Sequence, residues 1–587
     1  MKKYLISILL LSMSFADLLS PENGVTLHTT HVKFEWEQVP DAINYTVTIY
    51  DESTGEYINE NVESLIYINN TFLNWDTSYS WYVTPVFADG SQGSMQDSDG
   101  NTYLSFSISN TRSNAYAIQH IPNEYSDGIT VFSSFFDYYS AAIDENGNEI
   151  WNSGNENLIF YNTDYYGQFF GAKLDNDSEN YLPVIEYNLN NEIIWQEPGN
   201  YFSHHEMIQL PNGNYMSIVE DIQLGPIPED VPGAFFFSLQ GYEVDGITNE
   251  FPWVGDRLIE WDQNGNEVWS WTTHDYFSKQ DYDQIAGTWG TALNDNRFDW
   301  THANAFWFSQ EENAIYFSSR HLSRITKINY PSGEIVWNMG LDMPSGDVGC
   351  GHDIGFSFQH SIESLNNGNI VTLDNGNLST TINNTPYPTS RAIEIAIDGS
   401  GLSCEASLVW SYELPENLFG FASGNVQKLE NGNYLITTVG QGGTTLEVSS
   451  DYEIIWEANY NLSLPNGAVY RANRISSLHP VAFSVIIPDM YLNNSNITLD
   501  SNISFDMIIY NDGSKDENFC INELNECVSI ASGDNAIISI PINSNIVNLN
   551  IAPEHRIDLM KNIIVYINND CPSSYYDCLD ICDGTAT

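Results

Sequence analysis

One short motif recurs six times along the middle of the chain and limits what that stretch can fold into. It is a turn, an acidic or similar residue, two aliphatic residues and a Trp. The clearest copies are Gly147-Asn148-Glu149-Ile150-Trp151, Asn191-Glu192-Ile193-Ile194-Trp195 and Gly265-Asn266-Glu267-Val268-Trp269. Gly333-Glu334-Ile335-Val336-Trp337, Ala406-Ser407-Leu408-Val409-Trp410 and Tyr452-Glu453-Ile454-Ile455-Trp456 complete the set. The Trp spacings are 44, 74, 68, 73 and 46 residues. A period of about 40–50 residues, stretched by insertions, is that of four-stranded propeller blades. Alternation of apolar and polar residues around each copy indicates strands. The expected fold class is therefore all-β, with a six-bladed β-propeller over residues 113–480, a ring that leaves only short protected edges.

The flanks read differently. Residues 17–112 resemble a fibronectin type III-like β-sandwich: Trp36 sits in a strand-like segment, Tyr45 to Ile49 alternate, and Leu73 followed by Tyr79-Ser80-Trp81-Tyr82-Val83 resembles a tyrosine-corner strand. Residues 481–570, rich in Asn and Ile, predict a C-terminal β-sandwich, and 571–587 form a Cys/Asp/Gly-rich tail. At the start, Lys2 and Lys3 precede an apolar run ending Ser14-Phe15-Ala16. Residues 1–16 thus read as a signal peptide, which predicts a secreted, periplasmic or cell-surface protein. No later stretch approaches the roughly 20 apolar residues of a membrane helix. Attachment to a cell surface through the C-terminal region is a further expectation.

Charge narrows the partners. The chain has 18 Lys and Arg against 78 Asp and Glu, a net charge of −60. So few cations exclude general nucleic-acid binding and disfavour anionic lipid. With 42% hydrophobic and 13% aromatic residues the chain has the means to build cores, so the acid coats a folded body. Of the seven Cys, Cys350 and Cys404 stand isolated, and Cys520 and Cys527 are spaced as a plausible pair. Cys571, Cys578 and Cys582 have no accompanying His, so a zinc site is a weak reading of the tail.

A second repeated segment lies upstream of the Trp. It runs from His205 to Leu210-Pro211-Asn212-Gly213-Asn214, from His360 to Asn366-Asn367-Gly368-Asn369, and from Gly424 to Glu430-Asn431-Gly432-Asn433, with a degenerate copy starting at His302. Each is a strand entering a Gly- or Asn-rich turn. Equivalent positions in a ring of blades converge at one mouth of the central channel, so His205, His302 and His360 are expected to meet. With period-two geometry, Asn304 points to the same face as His302. Arg320 ends the next strand. Seven of nine Arg lie between Arg257 and Arg474, a pattern suited to an anionic ligand such as sulfate or phosphate. His204 adjoins His205, which is chosen by its register with the turn. His274 and His352 sit in insertions that border the expected pocket.

These segments, in order, resemble the bacterial arylsulfate sulfotransferases over roughly residues 115–480. The likeness rests on His205-Glu206, Asp299-Trp300-Thr301-His302-Ala303-Asn304, Ser318-Ser319-Arg320-His321, Gln359-His360, Ser390-Arg391-Ala392 and Tyr470-Arg471-Ala472-Asn473-Arg474. The resemblance implies transfer of a sulfuryl group from a phenolic sulfate ester to a phenol by a ping-pong mechanism, without a nucleotide donor; no cofactor and no metal ligand are assigned, and a metal requirement stays open. His360 matches the histidine that is transiently sulfated. His205, His302 and Arg320 match catalytic positions, and Asn304, Arg320 and Arg391 substrate-binding ones. Some members carry a close Cys pair just before the nucleophile, where this chain has only Cys350. Two other readings of the same residues stay open: a noncatalytic surface propeller that binds glycans or proteins, and a sulfatase-like hydrolase.

Overall fold

The repeated Trp is explained by where its indole N–H goes. Trp151 Nε1 donates to Leu189 O (2.8 Å), Trp269 to Pro331 O (2.8 Å), Trp410 to Ser450 O (3.2 Å) and Trp456 to Glu145 O (2.8 Å). Each acceptor lies in the last turn of the next sheet, so the Trp hooks one sheet to its successor. Trp456 hooks the last sheet to the first. The computed structural model describes residues 17–174, 182–199, 201–399, 404–465, 467–493, 496–501 and 503–568. The expected signal peptide and the Cys-rich tail lie outside the described residues. The described chain is all-β, with a few short helices in connections.

Two compact units are present. Thr111–Ser476 forms one, and the segments before and after it together form the other. Thr111–Ser476 holds six sheets, antiparallel except where the two-residue strand Phe298–Asp299 joins the third in parallel. Their first strands are Ile129–Phe135, Leu158–Thr163, Ser203–Gln209, Ala303–Ser309, His360–Ser364 and Asn425–Lys428. Each touches the first strand of the next sheet up to the sixth, and Asn425–Lys428 then touches Ala468–Ile475. That last strand pairs with Ile129–Phe135 of the first sheet. Tyr116–Gln119, from the other end of the unit, completes the sixth sheet. Both ends of the unit are thus tied into sheets built mostly from the opposite end.

In the other unit, Phe34, Trp36, Tyr79 and Trp81 are buried in one core. Asn74 N donates to Tyr79 Oη (2.8 Å), as a tyrosine corner requires. A second core is built around Met507, Phe519 and Leu549. The two segments meet through Gln38 and Ile487, which exchange two 2.9 Å hydrogen bonds. Lys561 and Lys33 both reach Glu35.

Two disulfides are present among the described residues. Cys520 pairs with Cys527 as its spacing suggested. Cys350 and Cys404, isolated in the sequence, pair with each other across 54 residues. The bridge fastens the loop preceding His360 to the start of the outermost strand of the same sheet, Glu405–Glu413.

Candidate active site

The site forms where the first strands break their regular pairing. The register shifts between His204 and Met207, between Ala303 and Ala305, and between His360 and Glu363. His205, His302 and Ser361 have φ of 66°, 47° and 59°. Such bulges re-aim side chains at a sheet end, and left-handed backbone on residues other than glycine is a strain that the surrounding sheets must hold. Here they turn imidazoles from three sheets toward one cavity of about 470 Å³. At the corresponding place in the sixth sheet, Gly424 has φ +86° and an added Cβ would lie 2.3 Å from Thr437 O, so only glycine fits.

His204, His205, His302, His360, Arg297 and Arg320 line the cavity. Phe135, Phe136, Tyr161, Phe202, Phe421 and Tyr470 give it an aromatic wall, and Glu220, Asp256 and Asp299 supply carboxylates. The His205 ring centroid lies 5.4 Å from His302, 6.4 Å from His360 and 5.0 Å from His204.

Hydrogen bonding fixes the proton on His360. Asn375 Nδ2 donates to Gly420 O (2.7 Å) and Ser423 O (3.1 Å), which fixes the orientation of the amide. Its Oδ1 then faces His360 Nδ1 at 2.7 Å and can only accept. Nδ1 therefore carries the hydrogen, and Nε2 keeps its lone pair with no partner among the described residues. Burial first, and then the Arg320 guanidinium, hold His360 well below the ordinary histidine range, so the ring is neutral.

His205 is fixed the same way. Tyr470 Oη donates its one hydrogen to His205 O (2.9 Å), so it must accept from His205 Nδ1 (2.9 Å). His205 Nε2 is thus also a lone pair. Burial and then the neighbouring imidazoles His204, His302 and His360 hold this ring well below the usual range. The two other imidazoles have carboxylate partners. His302 Nδ1 lies 2.6 Å from Asp299 Oδ2, and His204 Nε2 lies 3.1 Å from Asp256 Oδ1. Burial works against a charge on His204, but Asp256 outweighs it and raises the group above the ordinary range.

Arg320 is anchored by stacking and one backbone contact. Its guanidinium lies 4.6 Å over the Phe358 ring, and Nη2 donates to Phe421 O (3.3 Å). Burial lowers it to about 10, which leaves it a cation at neutral pH. Asp299, His302 and His321 bring three ligand-capable atoms within 4.8 Å of one another. The direct His302–Asp299 hydrogen bond accounts for that closeness, so we assign the cluster no ion.

Two expected binding residues lie elsewhere. The register shift between Ala303 and Ala305 cancels the period-two rule that aligned Asn304 with His302. Asn304 is fully buried, donates to Gln359 O (2.7 Å) and accepts from Ser318 Oγ (3.0 Å). Arg391 Nε pairs with the buried Asp374 (2.7 Å), and its Nη2 donates to Ile354 O and Gly355 O. Neither lines the cavity. Most of the concentrated Arg are braces too. Arg257 pairs with Glu267, Arg324 with Asp281, Arg471 with Glu206 and Arg474 with Glu447, which leaves Arg297, itself paired with Glu220, and Arg320 to face the cavity. His274 binds Asp221 O and His352 pairs with Asp342, both away from the cavity lining.

Sequence reasoning missed Asn375, Asp256 and the role of Tyr470. None stands beside the histidine it holds, so no local pattern marks them.

Residues 237–470 match the model of the arylsulfotransferase (ASST) family, a shorter stretch than the resemblance traced by motifs. The match includes His302, Arg320 and His360 and excludes His205. No curated protein matches the chain. Among solved structures, a protein of unknown function from Bacteroides caccae is similar at 10% identity and a TM-score of 0.34, covering 60% of this chain and 99% of that one. An auxiliary nutrient binding protein from Bacteroides thetaiotaomicron is similar at 8% identity and a TM-score of 0.26, covering 90% of this chain and 98% of that one. Likenesses this weak carry no functional meaning.

Proposed function

We propose that the chain is an exported arylsulfate sulfotransferase, with the six sheets as blades of one propeller and His360 as the residue that takes up the sulfuryl group. The contacts between successive first strands and the Trp hooks support the propeller reading. Export rests on the sequence of residues 1–16. The catalytic reading is carried by one observation. A buried, neutral imidazole, His360, has its Nδ1–H tied to Asn375, and its free Nε2 opens on a cavity that also holds Arg320.

In this reading Nε2 attacks sulfur in line with the departing phenolic oxygen. The Arg320 guanidinium and the His302 ring, whose Nδ1 side is held by Asp299, face the non-bridging oxygens and stabilise the charge that develops on them. As Nε2 becomes substituted the His360 ring turns cationic, and the Asn375 carbonyl oxygen is already placed against its Nδ1–H. A phenol then displaces the sulfuryl group and restores the neutral ring.

Incubation with p-nitrophenyl sulfate, with and without phenol, tests this. Nitrophenol release that depends on phenol, lost in His360→Ala, together with a mass shift of one sulfuryl group on the His360 peptide, is the expected result. Release independent of phenol identifies a hydrolase. Absence of release from the wild-type protein leaves a binding function.

A further inference from the structure

We infer that His204, held by Asp256, is the group that gives a proton to the departing phenolate and takes one from the acceptor phenol. This rests on the sulfuryl-transfer reading above and assigns a residue within it.

The first argument is position. His205 touches both His204 (5.0 Å) and His360 (6.4 Å), while no ring contact joins His204 to His360 among the described residues. The His204 ring is thus farther from the nucleophile than the His205 ring is. In an in-line displacement the leaving oxygen emerges on the side of sulfur away from the nucleophile. The Phe202 ring, 6.0 Å from His204, lines the same cavity and offers an apolar face to an aryl group.

The second argument is proton inventory. His360 and His205 present lone pairs to the cavity, fixed by Asn375 and Tyr470, and have no hydrogen there to give. His204 is built the other way. Asp256 Oδ2 accepts from Thr301 Oγ1 (2.5 Å) and Ala303 N (2.6 Å), so the carboxylate is immobile and its Oδ1 faces His204 Nε2. Nδ1 of His204 has no partner among the described residues, and the residue is part of the cavity lining. The carboxylates of Glu220 and Asp299 also favour a cation at His204, while the neighbouring His205 is neutral. Nε2 lies beside Asp256 without an aligned hydrogen bond, so the carboxylate favours the charged ring through its charge, and a charged ring carries a second hydrogen on Nδ1, which no described residue holds.

The step balances. The Nε2–S bond to His360 forms as the S–O(aryl) bond breaks. Its electron pair stays on the aryl oxygen, which takes the Nδ1 proton of His204. That leaves His204 neutral, with its remaining hydrogen on Nε2 beside Asp256. In the second half-reaction the acceptor phenol returns a proton to Nδ1, its oxygen bonds to sulfur, and the Nε2–S electron pair returns to His360.

The test compares two donors. Phenyl sulfate releases a strongly basic phenolate that needs a proton, whereas p-nitrophenyl sulfate releases a weakly basic one. In His204→Gln, sulfation of His360 by phenyl sulfate is expected to fall about 10²-fold or more, against about tenfold or less with p-nitrophenyl sulfate. His302→Gln is expected to slow both donors by similar factors. Equal loss with both donors in His204→Gln, or a donor-dependent loss in His302→Gln instead, overturns the assignment. A wild-type protein inactive toward both donors overturns the sulfotransferase reading itself. Residual p-nitrophenyl sulfate activity in the variant reports that its site has folded.

Discussion

Asn375 Oδ1 and His360 Nδ1 lie 2.7 Å apart, and the Asn375 amide cannot turn over without breaking its bonds to two backbone carbonyls. The amide thereby decides which ring nitrogen carries the hydrogen and which keeps its lone pair. Asn375→Ala removes the acceptor, and the imidazole can then settle in the other tautomer. We expect kcat toward p-nitrophenyl sulfate to fall about 10²-fold or more with little change in KM, since a wrong tautomer costs chemistry rather than binding. Steady-state kinetics, with sulfation of the His360 peptide followed in parallel, would check this.

The pH profile should separate nucleophile from proton donor. A group whose pKa is depressed stays neutral until the pH drops well below the ordinary histidine value of about 6.5. With His360 so depressed, the p-nitrophenyl sulfate burst should stay level as pH falls through that value. A group whose pKa is raised keeps its proton to higher pH and loses it above. Phenyl sulfate turnover should therefore decline on the alkaline side as His204 deprotonates. Stopped-flow and initial-rate measurements across about pH 5–9 would show both limbs.

Arg391 and Asn304 should behave as braces. Removing Arg391 leaves Asp374 buried without its cation, so Arg391→Ala should cost about 3–5 kcal/mol of stability. Asn304→Ala should cost about 1–3 kcal/mol by leaving Gln359 O and Ser318 short of a partner. Neither should raise KM for the donor. Arg320→Ala should raise KM and lower kcat by about 10²-fold or more, with a smaller stability change. Denaturant titration beside kinetics distinguishes the two classes.

The Cys350–Cys404 bridge offers a redox test. Opening it releases the loop that leads into His360. Cys350→Ser, Cys404→Ser or a reducing agent should each lower stability by about 2–4 kcal/mol, and the double variant no further. Thermal melts with and without reductant would measure it.

What the sequence revealed follows the range of the interactions involved. The Trp repeat is legible because each copy sits in its own short strand, even though the carbonyl that Trp151, Trp269, Trp410 and Trp456 each hook belongs to the next sheet. The offset of His205 and His360 from their turn glycines is legible because turn and strand are contiguous. Asn304 was misplaced because a bulge adds a residue where alternation assumes none. Asn375, Tyr470 and Asp256 were invisible because they reach their histidines from another strand or another sheet, and nothing in a linear pattern encodes that meeting. Cys350 and Cys404 are hidden by the same separation.

The strand Ala468–Ile475 is the last piece of its unit to leave the ribosome, yet it supplies Tyr470, which orients His205, and Arg471, which pairs with Glu206. A product cut short before residue 468 still contains His205, His302 and His360. It has no seam to zip shut and no phenol to set the second imidazole. Setting of the second imidazole thus waits for residues 468–475 rather than for the rest of the chain, and products ending earlier are expected to stay inert.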